Sequence, residues 1–127
     1  MRFARSLAIA LAALTTTPAL ASPAGIWEIE MRDSRYRVTE CGDNQFCAEL
    51  IWLGNGADNA ENLPYLNTML IDHAQQTRPN QWKGELNLYG HRAVGTVTMV
   101  TPKHFTLKGC VAFVICRNYQ MYKLAEL

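Results

Sequence analysis

Residues 41–53 read CGDNQFCAELIWL: a turn of Gly42, Asp43 and Asn44 held between two cysteines and running straight into an apolar stretch. Gly, Asp and Asn supply the positive φ and the local side-chain hydrogen bonds that a tight turn needs. After Cys47 the period is two, with Ala48, Leu50 and Trp52 on one face and Ile51 and Leu53 on the other. That pattern is a strand covered in part on both sides. The same cysteine spacing returns at Cys110 and Cys116. An even number of cysteines in a short chain reads as disulfides and an oxidising compartment. Five residues separate the cysteines of each near pair, which suits opposite positions flanking a hairpin loop. Cys41–Cys47 and Cys110–Cys116 are therefore the favoured bridges, each contributing about 2–2.5 kcal/mol by constraining the unfolded chain. Pairing across the two sites is the alternative, because sequence does not fix connectivity. Structural zinc sites bring cysteines closer together in sequence, and a redox site wants Cys-x-x-Cys, which is absent.

Outward from this stretch the chain is a succession of short alternating segments. Residues 25–32 (GIWEIEMR) place Trp27, Ile29 and Met31 on one face and Glu28, Glu30 and Arg32 on the other. Residues 34–40 alternate Tyr36 and Val38 against Arg35 and Arg37. Residues 54–64 (GNGADNAENLP) form the one long polar loop, and residues 68–71 (TMLI) a short apolar piece, a strand or one helical turn. Residues 81–89 set Trp82, Gly84, Leu86 and Leu88 on one face; residues 92–101 are β-branched, with Gly95 expected to mark a bend or bulge. Residues 104–111 group Phe105, Leu107 and Gly109, and residues 116–124 set Tyr119 and Met121 opposite Tyr122 and Leu124. About eight short strands with turns between them, and no room for a helix of ordinary length, predict an all-β fold. A small antiparallel barrel is favoured, because closure removes exposed strand edges. The interior of such a barrel is either filled by side chains or holds one small ligand.

The first 21 residues have the layout of a secretory signal peptide: Arg2 and Arg5, an apolar run over residues 7–14, then Ala19 and Ala21 at the small-residue positions. The apolar run is too short to span a bilayer. Cleavage after Ala21 would leave residues 22–127 as a single domain, soluble and periplasmic or secreted. It would also take the formal charge from +1 to −1 by removing two arginines from the 127-residue chain. A near-neutral chain has no electrostatic footprint for nucleic acid, nor the basic amphipathic helix of a membrane-surface binder, and no membrane span is expected.

The residues quoted so far carry a family likeness. Gly25-x-Trp27 near the start, Cys41-Gly42 with Cys47 leading into Ile51-Trp52-Leu53, the Asp58, Asn59 and Asn62 loop, Trp82-x-Gly84, and finally Gly109-Cys110 and Cys116-Arg117 together resemble the small exported bacterial proteins catalogued as domain of unknown function 2147. The resemblance covers nearly all of residues 22–127 and implies a lipocalin-like barrel in an exported protein. It supplies no activity. Two departures stand out: residues 87–92 lack the family's Tyr-Asp-Pro type turn, and Tyr122-Lys123-Leu124 replaces a terminal Trp-x-Arg, so barrel closure should differ here.

Chemistry-bearing groups are sparse. Asp72 precedes His73, but neighbours on a strand point to opposite faces and should not pair. His91 and His104 fall in turns. Asp58, Glu61 and Asp72 lack EF-hand spacing, and no phosphate-cradling glycine loop, nucleophile motif or zinc-protease motif occurs. Arg35, Arg37, Arg92 and Arg117 read as the solvated faces of strands rather than one side of a barrel mouth. The expectation is a non-enzymatic binding module without metal or cofactor, holding a small apolar or amphipathic ligand. Trp27, Trp52, Trp82, Tyr36 and Tyr119 would form its pocket or core. The alternative is a domain that binds a protein partner in the periplasm, such as an inhibitor of a cell-wall lytic enzyme, inserting the loop of Asn55, Asp58, Asn59 and Asn62.

Overall fold

A computed structural model describes residues 22–112 and 114–127. The expected signal peptide lies outside the described residues. Eight strands follow one another: β1 (Gly25–Ile29), β2 (Ser34–Gly42), β3 (Gln45–Leu53), β4 (Met69–Arg78), β5 (Gln81–Leu88), β6 (His91–Thr101), β7 (His104–Val111) and β8 (Ile115–Ala125). Each pairs antiparallel with the next, and β8 pairs back onto β1, so the sheet closes into a barrel. This is the expected class, with the expected eight strands. The residue 68–71 piece extends into a ten-residue strand, β4, and the polar loop ends in a single 3₁₀ turn, Leu63–Tyr65.

Alternation along each strand decides what fills the barrel. Trp27, Ile29, Tyr36, Val38, Phe46, Leu50, Leu70, Ile71, Trp82, Leu86, Val97, Met99, Phe105, Leu107 and Met121 are all buried in one cluster. The large aromatic residues crowd one end. Trp27 and Phe105 lie 4.6 Å apart by ring centroid, Phe46 and Phe105 meet edge-on at 5.6 Å, and Trp82 flanks Phe46 at 5.5 Å. Three of the four stand beside the β2–β3, β4–β5 and β6–β7 turns, and Trp27 stands near the start of β1, so they plug that end. Such rings carry the largest burial energies in a small core. The Trp27 indole N–H donates to the Pro23 carbonyl at 2.8 Å, drawing the chain before β1 across the plugged end.

Closure uses Lys123. Its side chain is nearly covered, with Nζ 5.8 Å from the centre of the Trp27 ring and 2.8 Å from Glu126. Gly25 makes that passage possible: a Cβ there would stand 2.5 Å from Lys123 Cε and 2.8 Å from the Ala125 carbonyl. The long aliphatic stem of lysine supplies packing while its ammonium reaches the surface.

Two local departures from simple alternation have clear causes. Arg35 pairs with Trp52 but Tyr36 pairs with Leu50, so Ile51 is an extra residue in β3. A bulge of this kind reverses the parity beyond it. Leu53 therefore turns inward, and Trp52, expected to share a face with Ala48 and Leu50, turns outward beneath the Arg35 guanidinium at 4.2 Å. In β4 the register shifts between Ile71 and Gln75, and His73 takes φ 54°. Its ring then folds back onto the Asp72 carboxylate, so these neighbours do pair, contrary to the expectation for a regular strand. Gly95, by contrast, marks no bulge. The ladder runs regularly through Gly84, Gly95 and Gly109 on three adjacent strands. Side chains are missing there because Leu86 and Ala74 occupy the space that their Cβ atoms would need.

Both disulfides are the near-neighbour pairs, Cys41–Cys47 and Cys110–Cys116, and no cysteine is free. Cys110 and Cys116 stand opposite one another on β7 and β8. The first bridge is less regular, since Cys41 is itself the bulged residue between Glu40 and Gly42.

Candidate functional site

In an up-and-down barrel alternate hairpins share an end. The β1–β2, β3–β4, β5–β6 and β7–β8 connections all lie opposite the aromatic plug, and between them the barrel is open. A cavity of about 510 Å³ lies there. It is large enough for a small organic ligand. Its wall is mainly apolar, from residues such as Ile29, Leu88, Ala93, Val111 and Ile115. Gly109 belongs to the same wall, and the glycine row leaves room inside it.

One side of this cavity is polar. Ser34 and Tyr36 are buried at the start of β2, with Tyr89 beside them at the β5–β6 turn. Their hydroxyls hydrogen-bond to one another. Burial pushes the Tyr36 phenol far above its ordinary range, against the lowering effect of the Ser34 hydrogen bond. Tyr89 moves in the same direction, again chiefly through loss of hydration. Loss of water penalises phenolate more than phenol. The cluster is therefore a set of neutral hydroxyls.

Arg117 and Asp33 stand at the rim, together with His91. The other three arginines lie on the outer wall as solvated strand faces: Arg35 bridges Glu28 at 2.9 Å, Arg37 bridges Glu49 at 3.3 Å and Arg92 bridges Glu85 at 3.3 Å. His104 lies at the start of β7 rather than in a turn, stacked on Tyr122 and hydrogen-bonded to Gln120.

The aromatic residues singled out from sequence divide into three sets. Tyr36 and Tyr119 line the cavity; Trp27 and Trp82 belong to the plug; Trp52 is outside the barrel. The residues 54–64 loop covers part of the mouth through Ala57 and Asn62. Its polar side chains are turned upon the loop itself. Asn55 Nδ2 donates to the Arg32 carbonyl at 2.6 Å, and Asp58 accepts the Gly56 N–H at 3.2 Å. Asn59 caps the N–H groups of Glu61 and Asn62, and Asn62 Nδ2 donates to the Ala57 carbonyl at 3.0 Å. These bonds make the loop a folded rim element. Asp58, Glu61 and Asp72 do not converge. Among the described residues the one group with metal-like spacing is Cys41, Cys47 and His73, whose sulfurs are bonded to each other.

Ser34, Tyr89, Leu88 and Ala93 escaped the sequence reading. The available signal was topological. Once an eight-stranded meander is assumed, inward residues next to every second turn must gather at one end.

No protein-family model matches the chain, and no curated protein matches it. A solved structure from the human pathogen Helicobacter pylori, of a protein that belongs to the lipocalin family, is similar in shape. It aligns with a TM-score of 0.62 and 13% identity, covering 82% of this chain and 84% of that one. At this identity the likeness concerns fold alone, and the fold here is a lipocalin-like barrel.

Proposed function

We propose that this protein is a non-catalytic carrier that holds one small amphipathic ligand inside the open half of its barrel. The observation that carries the reading is the cavity of about 510 Å³, open at one end, with mainly apolar walls and a hydroxyl cluster on one side. An apolar cavity with a few convergent polar groups is the usual form of a small-molecule site. The apolar body of the ligand lies along Ile29, Leu88, Ala93 and Tyr119. A polar group of the ligand meets the Ser34, Tyr36 and Tyr89 hydroxyls. Trp27 and Trp82 act as the rigid base beneath. The likeness of the barrel to a lipocalin-family structure supports binding over catalysis.

The carrier works outside the cytoplasm in this reading, in the periplasm or beyond, after cleavage following Ala21. The signal-peptide layout of residues 1–21 and the two closed disulfides support that compartment. Membership of the family catalogued as domain of unknown function 2147 belongs to the same proposal and rests on the motifs from Gly25 to Arg117.

The test is native mass spectrometry of protein recovered from the periplasm, paired with titration of a fluorescent apolar probe such as anilinonaphthalene sulfonate. The expected result is one co-purified small molecule or one saturable probe site. Ala93→Trp, which fills the cavity from its wall, should abolish it without unfolding the barrel. Probe binding unchanged in Ala93→Trp would place the ligand elsewhere and overturn the reading.

A further inference from the structure

The tip of the β7–β8 hairpin is apolar where a soluble hairpin is ordinarily polar. No polar residue lies between Cys110 and Cys116 in the sequence. Val111, Val114 and Ile115 are 40%, 82% and 61% exposed, and Met31, on the same rim of the cavity, is 53% exposed. Contiguous apolar surface of this kind marks an interaction site. Val111 still pairs with Ile115 above the Cys110–Cys116 bridge, so the tip is held as the last rung of a stapled ladder. Little ordering is then needed when it docks.

Charge says what covers it. Residues 86–125 contain Arg92, Lys103, Lys108, Arg117 and Lys123 and no Asp or Glu. Residues 22–85 contain ten acidic residues against five Lys and Arg. Closure turns this sequence asymmetry into a spatial one, with β6, β7 and β8 forming a basic side. Lys108 and Arg117 flank the tip on its own two strands, while Asp58 and Glu61 belong to the β3–β4 loop. An apolar tip flanked by cations is complementary to an anionic bilayer, whose headgroups attract the cations and whose acyl region accepts the apolar side chains.

We propose that the β7–β8 tip, with Met31 beside it, docks this protein onto anionic lipid bilayers and brings the mouth of the barrel to the lipid surface. The docking does not depend on the carrier reading. It would, however, give that carrier a route by which an amphipathic ligand passes between bilayer and cavity without crossing water.

Flotation of the purified protein with phosphatidylcholine vesicles that contain phosphatidylglycerol, and with vesicles of phosphatidylcholine alone, tests this. The protein should float with the anionic vesicles only, and added salt should weaken the association. The double substitution Val114→Asp and Ile115→Asp should reduce partitioning by about tenfold or more, since apolar burial supplies part of the attraction. Lys108→Glu should reduce it with the apolar tip intact. All three positions are exposed, so thermal unfolding of each variant should match the parent. Ala93→Trp should float normally while losing probe binding, which separates failure of docking from failure of the carrier reading. Absence of flotation, or equal flotation of the tip variant, would overturn the proposal. So would a concentration-dependent dimer in sedimentation velocity that the tip substitutions dissolve, because the tip would then be covered by a second copy.

Discussion

Tyr36→Phe is the most informative single change to the hydroxyl cluster, because its effect should depend on pH with a sign set by burial. Tyr36 is only 3% exposed, so solvent screening does little to discount its electrostatics. Near neutral pH the change removes the hydroxyl that hydrogen-bonds with Ser34 and Tyr89, and Ser34 is itself buried. Leaving buried partners short of a hydrogen bond costs about 1–2 kcal/mol. The second contribution has the opposite sign. A phenol whose folded pKa is raised adds stability below the unfolded value, and that stability is lost as pH rises toward the folded one. The unfolded chain begins to release the Tyr36 proton at about pH 10 while the folded chain retains it. By pH 11 the parent has lost about 1.4 kcal/mol that the phenylalanine variant never had. The variant should thus be less stable at pH 8 and nearly level with the parent at pH 11. Urea unfolding followed by tryptophan fluorescence, in both proteins at both pH values, measures the difference. A stability gap that stays constant between the two pH values would mean that Tyr36 is hydrated and ionises normally, and the buried hydroxyl cluster would be refuted.

Two further outcomes concern the frame. Replacing either cysteine pair by serine should cost about 2–2.5 kcal/mol in urea titrations, because the loops are equal in length. A much larger loss at Cys110–Cys116 would show that the bridge also holds the mouth open in the folded state. Gly84→Ala places a Cβ 2.8 Å from the Ala74 Cα, a backbone atom that cannot swing away, and should cost about 1–3 kcal/mol. Gly109→Ala meets Leu86 Cδ2 at the same distance, and that methyl can rotate toward the cavity. Its thermal midpoint should fall less than that of Gly84→Ala; the reverse order would show that the glycine row is packed differently.

Much of the frame was legible before any coordinates. The period of two across β1, β2, β5, β7 and β8 placed their inward faces correctly, since alternation in a half-buried strand follows from covalent geometry. The equal cysteine spacings favoured the two bridges that formed. The misreadings share one origin. Ile51 and His73 each sit where one residue too many enters a strand, and a bulge depends on how two strands meet. Nothing in the IWL of β3 tells which residue will be the extra one, so Trp52 was assigned to the wrong face. Gly95 misled in the other direction. A lone glycine in a β-branched run suggests a bulge, but its reason lies in Gly84, Gly109 and Leu86 on neighbouring strands.

By itself the sequence determined the strand class, the number of strands, the bridges it favoured and the aromatic stock of the core, because these follow from local periodicity and short loops. Only the tertiary structure decided how that stock is distributed. Three of the four plug rings lie within two residues of a turn at the closed end and the fourth near the start of β1, so the opposite half is left to smaller residues and three glycines. The cavity, the meeting of Ser34 and Tyr36 with Tyr89, and the placing of Met31 on the same rim as the β7–β8 tip are juxtapositions of residues far apart in the chain. They exist only because β8 returns to pair with β1.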